Sequence, residues 1–250
     1  MSGSAFYLYA IGNEDTGFIS SEKAPRGVFA VSGDGLTAFV APVSVEEQAP
    51  SREAMMAHER VVAALYTLTT VVPVSFGTIF RDQTEVVRLL ELNSEQLKAA
   101  LKRLEGRIEV GLKVFWKKEV FAAKFGQQDP SMAELVKKVR ETGKERSHLM
   151  VAKVGELVQA RVQQARNAFE RRVHRILAAL AEDAVLNDIL TIEMVCNAAY
   201  LVRKEDEHAF DQKVNELLEP RLEEFIVRYT GPWPPYNFAR LRLKLPSERG

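Results

Sequence analysis

The stretch His58-Glu59-Arg60-Val61-Val62-Ala63-Ala64-Leu65-Tyr66-Thr67-Leu68-Thr69-Thr70-Val71-Val72-Pro73-Val74-Ser75-Phe76-Gly77-Thr78-Ile79-Phe80 changes its periodicity midway, and that change decides the fold. Up to Leu68 the apolar residues Val61, Val62, Leu65 and Leu68 recur at spacings of three and four, which places them on one helix face. Thr69, Thr70, Val71 and Val72 are four β-branched residues in a row, stiff at χ1 and suited to an extended chain. Pro73 has no amide hydrogen to donate and pushes Val72 towards extended geometry, so the helix ends before it. A helix therefore feeds a strand-like segment. Within that segment Phe76 is expected in the core, and Gly77 where a Cβ would clash.

Upstream, residues 6–11 read as a strand buried on both faces and stopped by Gly12-Asn13. Residues 13–26 read as a loop. Two β-like runs, 28–31 and 36–40, flank Gly33-Asp34-Gly35, whose residues supply the positive φ of a tight hairpin. Residues 42–50 form an acidic connector, and Ser51 caps the following helix. Downstream, Asp82 with Glu85 resembles the capping box that opens a helix. Ser94 is expected to cap a further helix with Leu97, Leu101 and Leu104 on its face, ended by Gly106. The order of elements defines a small α+β domain over 1–105.

Residues 107–116 alternate, with Ile108, Val110, Leu112 and Val114 on one face and Glu109, Gly111, Lys113 and Phe115 on the other. A short helix over 117–125 ends at Gly126, and 132–140 reads as helical. The longest periodic segment runs from about 144 to 180, with Val154, Leu157, Val158, Val162, Phe169, Val173, Ile176, Leu177 and Leu180 at helical spacing. Arg166, Arg171 and Arg175 line its other faces. At ~1.5 Å per residue such a helix overhangs its own domain, with a coiled-coil-like extension over about 131–180. Asn187-Asp188 turns the chain, 191–202 returns as a strand, 204–218 is an amphipathic helix stopped by Pro220, and 222–230 is a third strand. That order suits a ferredoxin-like α+β layer over 106–230 with the long helix as an enlarged crossover. Gly231 to Pro235 is read as unable to continue any regular element, leaving a tail over 231–250. Its Trp233, Tyr236 and Phe238 either clamp the core or form a sticky patch.

The chain has 250 residues, 46% hydrophobic and 27% charged, enough for one large or two ordinary domains. Lys+Arg and Asp+Glu both number 34, so there is no basic excess for a general polyanion binder and little repulsion against self-association. A lone cysteine, Cys196, excludes an internal disulfide and fits a reducing cytoplasm; its bland reading is a small buried hydrophobe. No signal-peptide run and no membrane-spanning stretch is read in the sequence.

No catalytic, cofactor or metal constellation stands out. His58-Glu59 opens like a zinc-protease helix, but that site needs a second histidine four residues on, where Val62 stands. His58, His148, His174 and His208 fall on separate expected helices. Phe115-Trp116-Lys117-Lys118 is the nearest candidate for stacking RNA bases, and it lacks both the signature and a supporting charge. A non-enzyme is expected; a cytoplasmic hydrolase or a nucleic-acid-binding module on a ferredoxin-like fold is the alternative.

The quoted stretch resembles the signature of the gas vesicle accessory protein family GvpF/GvpL. Four further stretches resemble it in the same order: Tyr7-Leu8-Tyr9-Ala10, residues 104–116, residues 197–202, and residues 229–238 with Gly231-Pro232-Trp233-Pro234-Pro235-Tyr236-Asn237-Phe238. The resemblance implies a non-enzymatic assembly factor or minor structural component of gas vesicles, acting in the cytoplasm and at the vesicle. Its implied partners are the hydrophobic shell protein and other gas vesicle accessory proteins, with no nucleic acid and no membrane. Covering the shell protein's apolar face would prevent its aggregation. The expected partner-binding residues are Arg166, Arg171 and Arg175 on the long helix and Trp233 and Tyr236 in the tail.

Overall fold

The structure, a computed structural model, describes residues 5–14, 25–43, 51–126, 134, 137 and 144–246. It is a mixture of helices and two antiparallel sheets. The chain divides into two compact units, the first comprising residues 1–109 and 232–250, the second residues 110–231.

The first unit holds β1 (Ala5–Asn13), β2 (Phe29–Gly33), β3 (Leu36–Val43), β4 (Val71–Pro73) and β5 (Ile79–Phe80). They form one sheet in the order β2-β3-β1-β4, with β5 also pairing β1. The hairpin between β2 and β3 turns where the glycines predict it: Asp34 and Gly35 take φ of 50° and 72°. Three helices pack in this unit, α1 (Arg52–Leu68), α2 (Gln83–Leu92) and α3 (Ser94–Leu104). Ser51 caps α1 by accepting from the Ala54 amide, and Asp82 caps α2 by accepting from the Glu85 amide. Glu85 reaches back to the Arg81 amide and guanidinium rather than to Asp82, a near relative of the expected capping box. The N-cap of α3 is Asn93, not Ser94, and it makes no capping bond because its amide is occupied elsewhere.

The quoted stretch behaves as its periodicity requires up to Pro73, with Val62 and Leu65 fully buried and Val71 and Val72 in the sheet. Two details differ from expectation. Phe76 is only half-buried, because the 74–78 segment bulges away from the sheet between β4 and β5. Gly77 is exposed with φ of 84°, and nothing lies within 4 Å of where a Cβ would stand. The glycine answers a conformational need, not a lack of space.

The second sheet consists of β6 (Arg107–Trp116), β7 (Asp183–Leu186), β8 (Met194–Arg203) and β9 (Phe225–Trp233) in the order β7-β8-β6-β9; the first three residues of β6 and the last two of β9 fall in the first unit, the rest in the second. Ile108, Val110, Leu112 and Val114 are buried as their alternation predicts. Glu109, expected on the polar face, is buried as well. The short edge strand β7 was not expected, and β9 runs on through Gly231, Pro232 and Trp233, where regular structure was expected to stop. An edge strand tolerates a proline because one side of its ladder needs no donor.

Helix α4 (Lys118–Phe125) ends at Gly126 as expected. The expected helix over 132–140 lies largely outside the described residues; Glu134 and Lys137 are helical. Then α5 (Lys144–Phe169) continues through a π-helical turn, Glu170–His174, into α6 (Arg175–Ala178). The Arg175 amide donates to the Glu170 carbonyl, five residues back. Val162, Phe169, Val173 and Leu177 are buried, whereas residues 151–160 contain no buried side chain. Helix α7 (Glu207–Leu218) buries Phe210, Val214 and Leu218.

Two glycine substitutions separate conformation from space. Gly77→Ala is expected to cost about 1–2 kcal/mol, because a Cβ disfavours that left-handed backbone. Gly155→Ala, in open space on α5, is expected to stabilise by about 1 kcal/mol. Thermal melts of both variants check this; an unperturbed Gly77→Ala would show that the turn relaxes freely.

Candidate functional site

The first unit is organised around His58. Its Nε2 lies 3.0 Å from the Val74 carbonyl oxygen and its Nδ1 lies 2.9 Å from the Tyr7 hydroxyl. A carbonyl only accepts, so Nε2 carries the hydrogen; in the neutral ring Nδ1 then accepts from Tyr7. The Tyr7 oxygen in turn accepts from the Gly77 amide at 2.9 Å. This chain of donors ties β1, α1 and the 74–77 bulge together. Tyr9 stacks on the imidazole at 5.5 Å, and Phe76 meets it edge-on at 5.9 Å. The ring of Phe76 thus closes a polar centre instead of filling an apolar one. Burial holds the His58 pKa below the ordinary imidazole value, with the Val74 bond opposing.

Two buried polar side chains anchor the segment after β9. Glu109 accepts from the Asn237 amide at 2.8 Å and from its side-chain nitrogen at 2.5 Å. Burial raises the Glu109 pKa, and the Asn237 bonds oppose that rise. Asn93, 2% exposed, donates from Nδ2 to the Lys244 carbonyl at 2.9 Å, while its Oδ1 accepts from the Lys244 amide at 2.7 Å. Gln96 donates to the same Oδ1 at 2.6 Å. Between these anchors lies a cleft of about 340 Å³. Val72, Val74, Phe80 and Leu89 form one wall, and Leu241, Leu243 and Leu245 the other. Tyr236 also lines it, and its buried hydroxyl has no hydrogen-bond partner among the described residues. An unpaired buried hydroxyl costs about 1–3 kcal/mol.

The second unit has a smaller pocket of about 140 Å³ beside the π-helical turn, lined in part by Arg166, Glu170, His174, Cys196 and Asn197. His174 Nδ1 lies 3.0 Å from the Tyr200 hydroxyl. Burial pushes the Cys196 thiol up to about 12, with Glu170 adding to the effect, so it is protonated at neutral pH and a poor nucleophile. Among the described residues no group of three or more His, Cys, Asp or Glu side chains could hold a metal ion.

The residues expected to bind a partner fall into different settings. The Arg166 guanidinium turns inward, donating to the carbonyls of Thr191, Ile192 and Met194 at 3.3, 3.0 and 3.0 Å, and so holds the loop before β8. Arg171 is exposed, and Arg175 pairs with Glu170 at 3.7 Å. Trp233 is 50% exposed, whereas Tyr236 is half-buried at the cleft and Phe238 is buried. Asn93 and Glu109 escaped sequence reading. For Asn93 the usable signal was an asparagine immediately before a helical run; nothing local marks Glu109.

These are polar groups engaged with the chain's own backbone, in a protein of two sheets with flanking helices. Residues 5–240 match the family described as gas vesicle synthesis protein GvpL/GvpF, and the chain belongs to that family. It is 34% identical over 195 residues to gas vesicle protein L of a Streptomyces species, covering 75% of this chain and 69% of that one. Gas vesicle protein F of a Nostoc species is 29% identical over 213 residues, covering 83% and 86%. Among solved structures, gas vesicle protein GvpF from an Anabaena species superposes with a TM-score of 0.77 at 25% identity, covering 98% of this chain and all (100%) of that one. GvpF from Microcystis aeruginosa gives 0.72 at 23% identity, covering 95% and 100%.

A linkage test isolates His58. Its folded pKa lies below the unfolded value of about 6.5, so above that pH both states are neutral and its contribution is complete. Below it the unfolded chain takes up a proton that the fold resists, and stability falls by up to about 1.4 kcal/mol per pH unit. Gln at position 58 keeps a donor and an acceptor but does not titrate. The stability gap between wild type and His58→Gln is therefore expected to narrow from pH 7.5 to pH 5.5 in urea titrations. A constant gap would remove His58 from the acid response.

Proposed function

We propose that this chain is a non-enzymatic assembly factor or minor structural component of gas vesicles, which binds the hydrophobic shell protein and keeps it from aggregating before or during assembly. The observation that carries the reading is the family match over residues 5–240, with relatives named as gas vesicle proteins. In this reading the two compact units act as separate domains. The second is ferredoxin-like: its strands run β7-β8-β6-β9, with α5 and α6 between β6 and β7 and α7 between β8 and β9. Work in the cytoplasm and at the vesicle accords with the absence, among the described residues, of a helix long and apolar enough to cross a membrane.

Apolar contact suits this surface better than ion pairing. Arg166 is engaged with backbone carbonyls and Arg175 with Glu170, which leaves less of the arginine-rich helix for an acidic partner. Large apolar side chains stand in the open: Leu186, Ile189, Leu190 and Ile192 around the loop before β8, and Trp233 at the end of β9. Burial of such groups is indifferent to salt, whereas exposed ion pairs are screened within about 8–10 Å at physiological ionic strength.

Shell-protein capture on the immobilised chain is expected to survive a rise from 0.1 to 1 M salt within about two-fold, since screening acts on charge and not on apolar burial. Arg171→Ala and Arg175→Ala should change it little. Capture that collapses with salt or with those substitutions would assign the contact to the arginines. No capture at either salt concentration would overturn the partner, and normal vesicles after gene deletion would overturn the role itself.

A further inference from the structure

We propose that the cleft in the first unit is a docking groove for an extended polypeptide segment with apolar side chains at alternate positions, kept occupied by the chain's own strap, residues 239–246. The strap reads Ala239-Arg240-Leu241-Arg242-Leu243-Lys244-Leu245-Pro246. It lies in the cleft without joining the sheet, Leu241 and Leu243 half-buried and Leu245 69% exposed. It shows by its own presence what chemistry the groove accepts: a single chain with branched apolar side chains at alternate positions, as Leu241 and Leu243 stand.

Three observations make this a seat and not ordinary packing. First, the strap does not fill it. A cleft of about 340 Å³, open to solvent, lies beside the leucines and is lined as well by Val72, Val74, Phe80 and Leu89. Second, the grip on the strap reads backbone and not sequence. Asn93 both donates to and accepts from the peptide group pair of Lys244, as a neighbouring strand would, and any residue but proline offers the same pair. Gln96 adds a longer bond to the Arg242 carbonyl at 3.4 Å. Third, the groove runs beside β4 and β5, where the bulge over 74–78 interrupts the sheet, and an interrupted strand edge is where an added strand docks. Tyr236, with its unpaired hydroxyl, stands at the same wall.

Occupation in cis sets the strength of binding in trans. A ligand that needs the groove open binds more weakly by the fraction of molecules in which the strap is out. The side chains of Arg242 and Lys244 alternate with the leucines and are exposed, so they contribute little to the grip, whereas Arg240 lines the cleft and donates to Asn237 Oδ1 at 2.9 Å. Loosening the leucines should therefore open the groove while leaving its fixed wall intact. The inference does not rest on the shell-protein reading; it concerns which segment shape the groove holds, whatever protein supplies it.

The test uses the full-length chain carrying Leu241→Asp and Leu243→Asp, and a fluorescent peptide with the strap's own sequence, residues 239–246. Anisotropy is expected to show binding to the variant at least about ten-fold tighter than to wild type, whose groove is already taken. A peptide with its three leucines replaced by serine should not bind. A peptide N-methylated at the residue equivalent to Lys244 should bind more weakly, because the amide hydrogen that Asn93 accepts is gone. Circular dichroism checks that the variant is folded, and Arg242→Ala with Lys244→Ala, at two exposed side chains, serves as a strap variant that leaves the groove closed. The proposal is overturned if the folded variant binds no peptide, if the serine peptide binds equally, or if wild type and variant bind alike. Shell-protein capture run alongside keeps the two readings apart, since either can fail without the other.

Discussion

One imidazole sets the geometry of the first unit. His58 is asked for a donor at one end and an acceptor at the other, across a rigid ring, with a carbonyl fixing which end is which. Few side chains meet that demand. A phenylalanine would fill the volume and leave the Val74 carbonyl without this donor and the Tyr7 O–H without an acceptor, and a lysine would bring a charge into a place that burial keeps neutral. The relay from the Gly77 amide through Tyr7 to His58 and on to Val74 joins residues 70 positions apart in the chain. It explains why a glycine in a left-handed conformation, a histidine mid-helix and a tyrosine in the first strand belong together: each supplies a group that the next one needs.

The same economy recurs where the chain returns to this unit after β9. Glu109 and Asn93 are buried polar side chains that would be costly alone, and each finds its partners in the returning segment, Asn93 in its backbone and Glu109 in both the amide and the side chain of Asn237. The Asn93 bonds hold the chain's path without holding its sequence. That distinction separates the returning segment from the sheet it lies beside. Strands β1 and β3 are fixed by register and by fully buried side chains such as Leu8, Ile11 and Val40, whereas the strap is fixed by two carboxamides and half-buried leucines. Elements held by few buried contacts are the ones that open at least cost.

Much of the architecture was legible in the sequence because it follows from periodicity and punctuation. The change from helix to strand before Pro73, the hairpin at Asp34-Gly35, the Ser51 and Asp82 caps and the alternation of β6 all rest on local chemistry. What escaped reading depends on distant partners. Glu109 sits at a polar position of an alternating strand and is buried only because Asn237, 128 residues on, comes to meet it. Asn93, not Ser94, is the N-cap of α3, and its side-chain amide serves residue 244, a partner 151 positions away that no local pattern announces. The four residues of β7 carry no strong signal alone and are a strand because β8 pairs with them. β9 outlasts its sequence signal through Pro232 because an edge position tolerates what an interior one does not. Of the candidate site, Tyr236 was named but the cleft it lines was not, since the opposite wall lies more than 140 residues earlier.

The π-helical turn at Glu170–His174 has a geometric consequence for everything upstream of it. Widening one turn by a residue shifts the phase of the helix by about 100° and its length by about 1.5 Å. Val173 and His174 are consecutive and both buried, which places two neighbouring residues against one sheet. Which side each residue of the exposed stretch 151–160 presents is thus set by a single residue far along the same helix. Removing one residue from the turn would leave both flanks helical and roll the upstream stretch about its own axis by about 100°, turning Val151 and Leu157 to a different side.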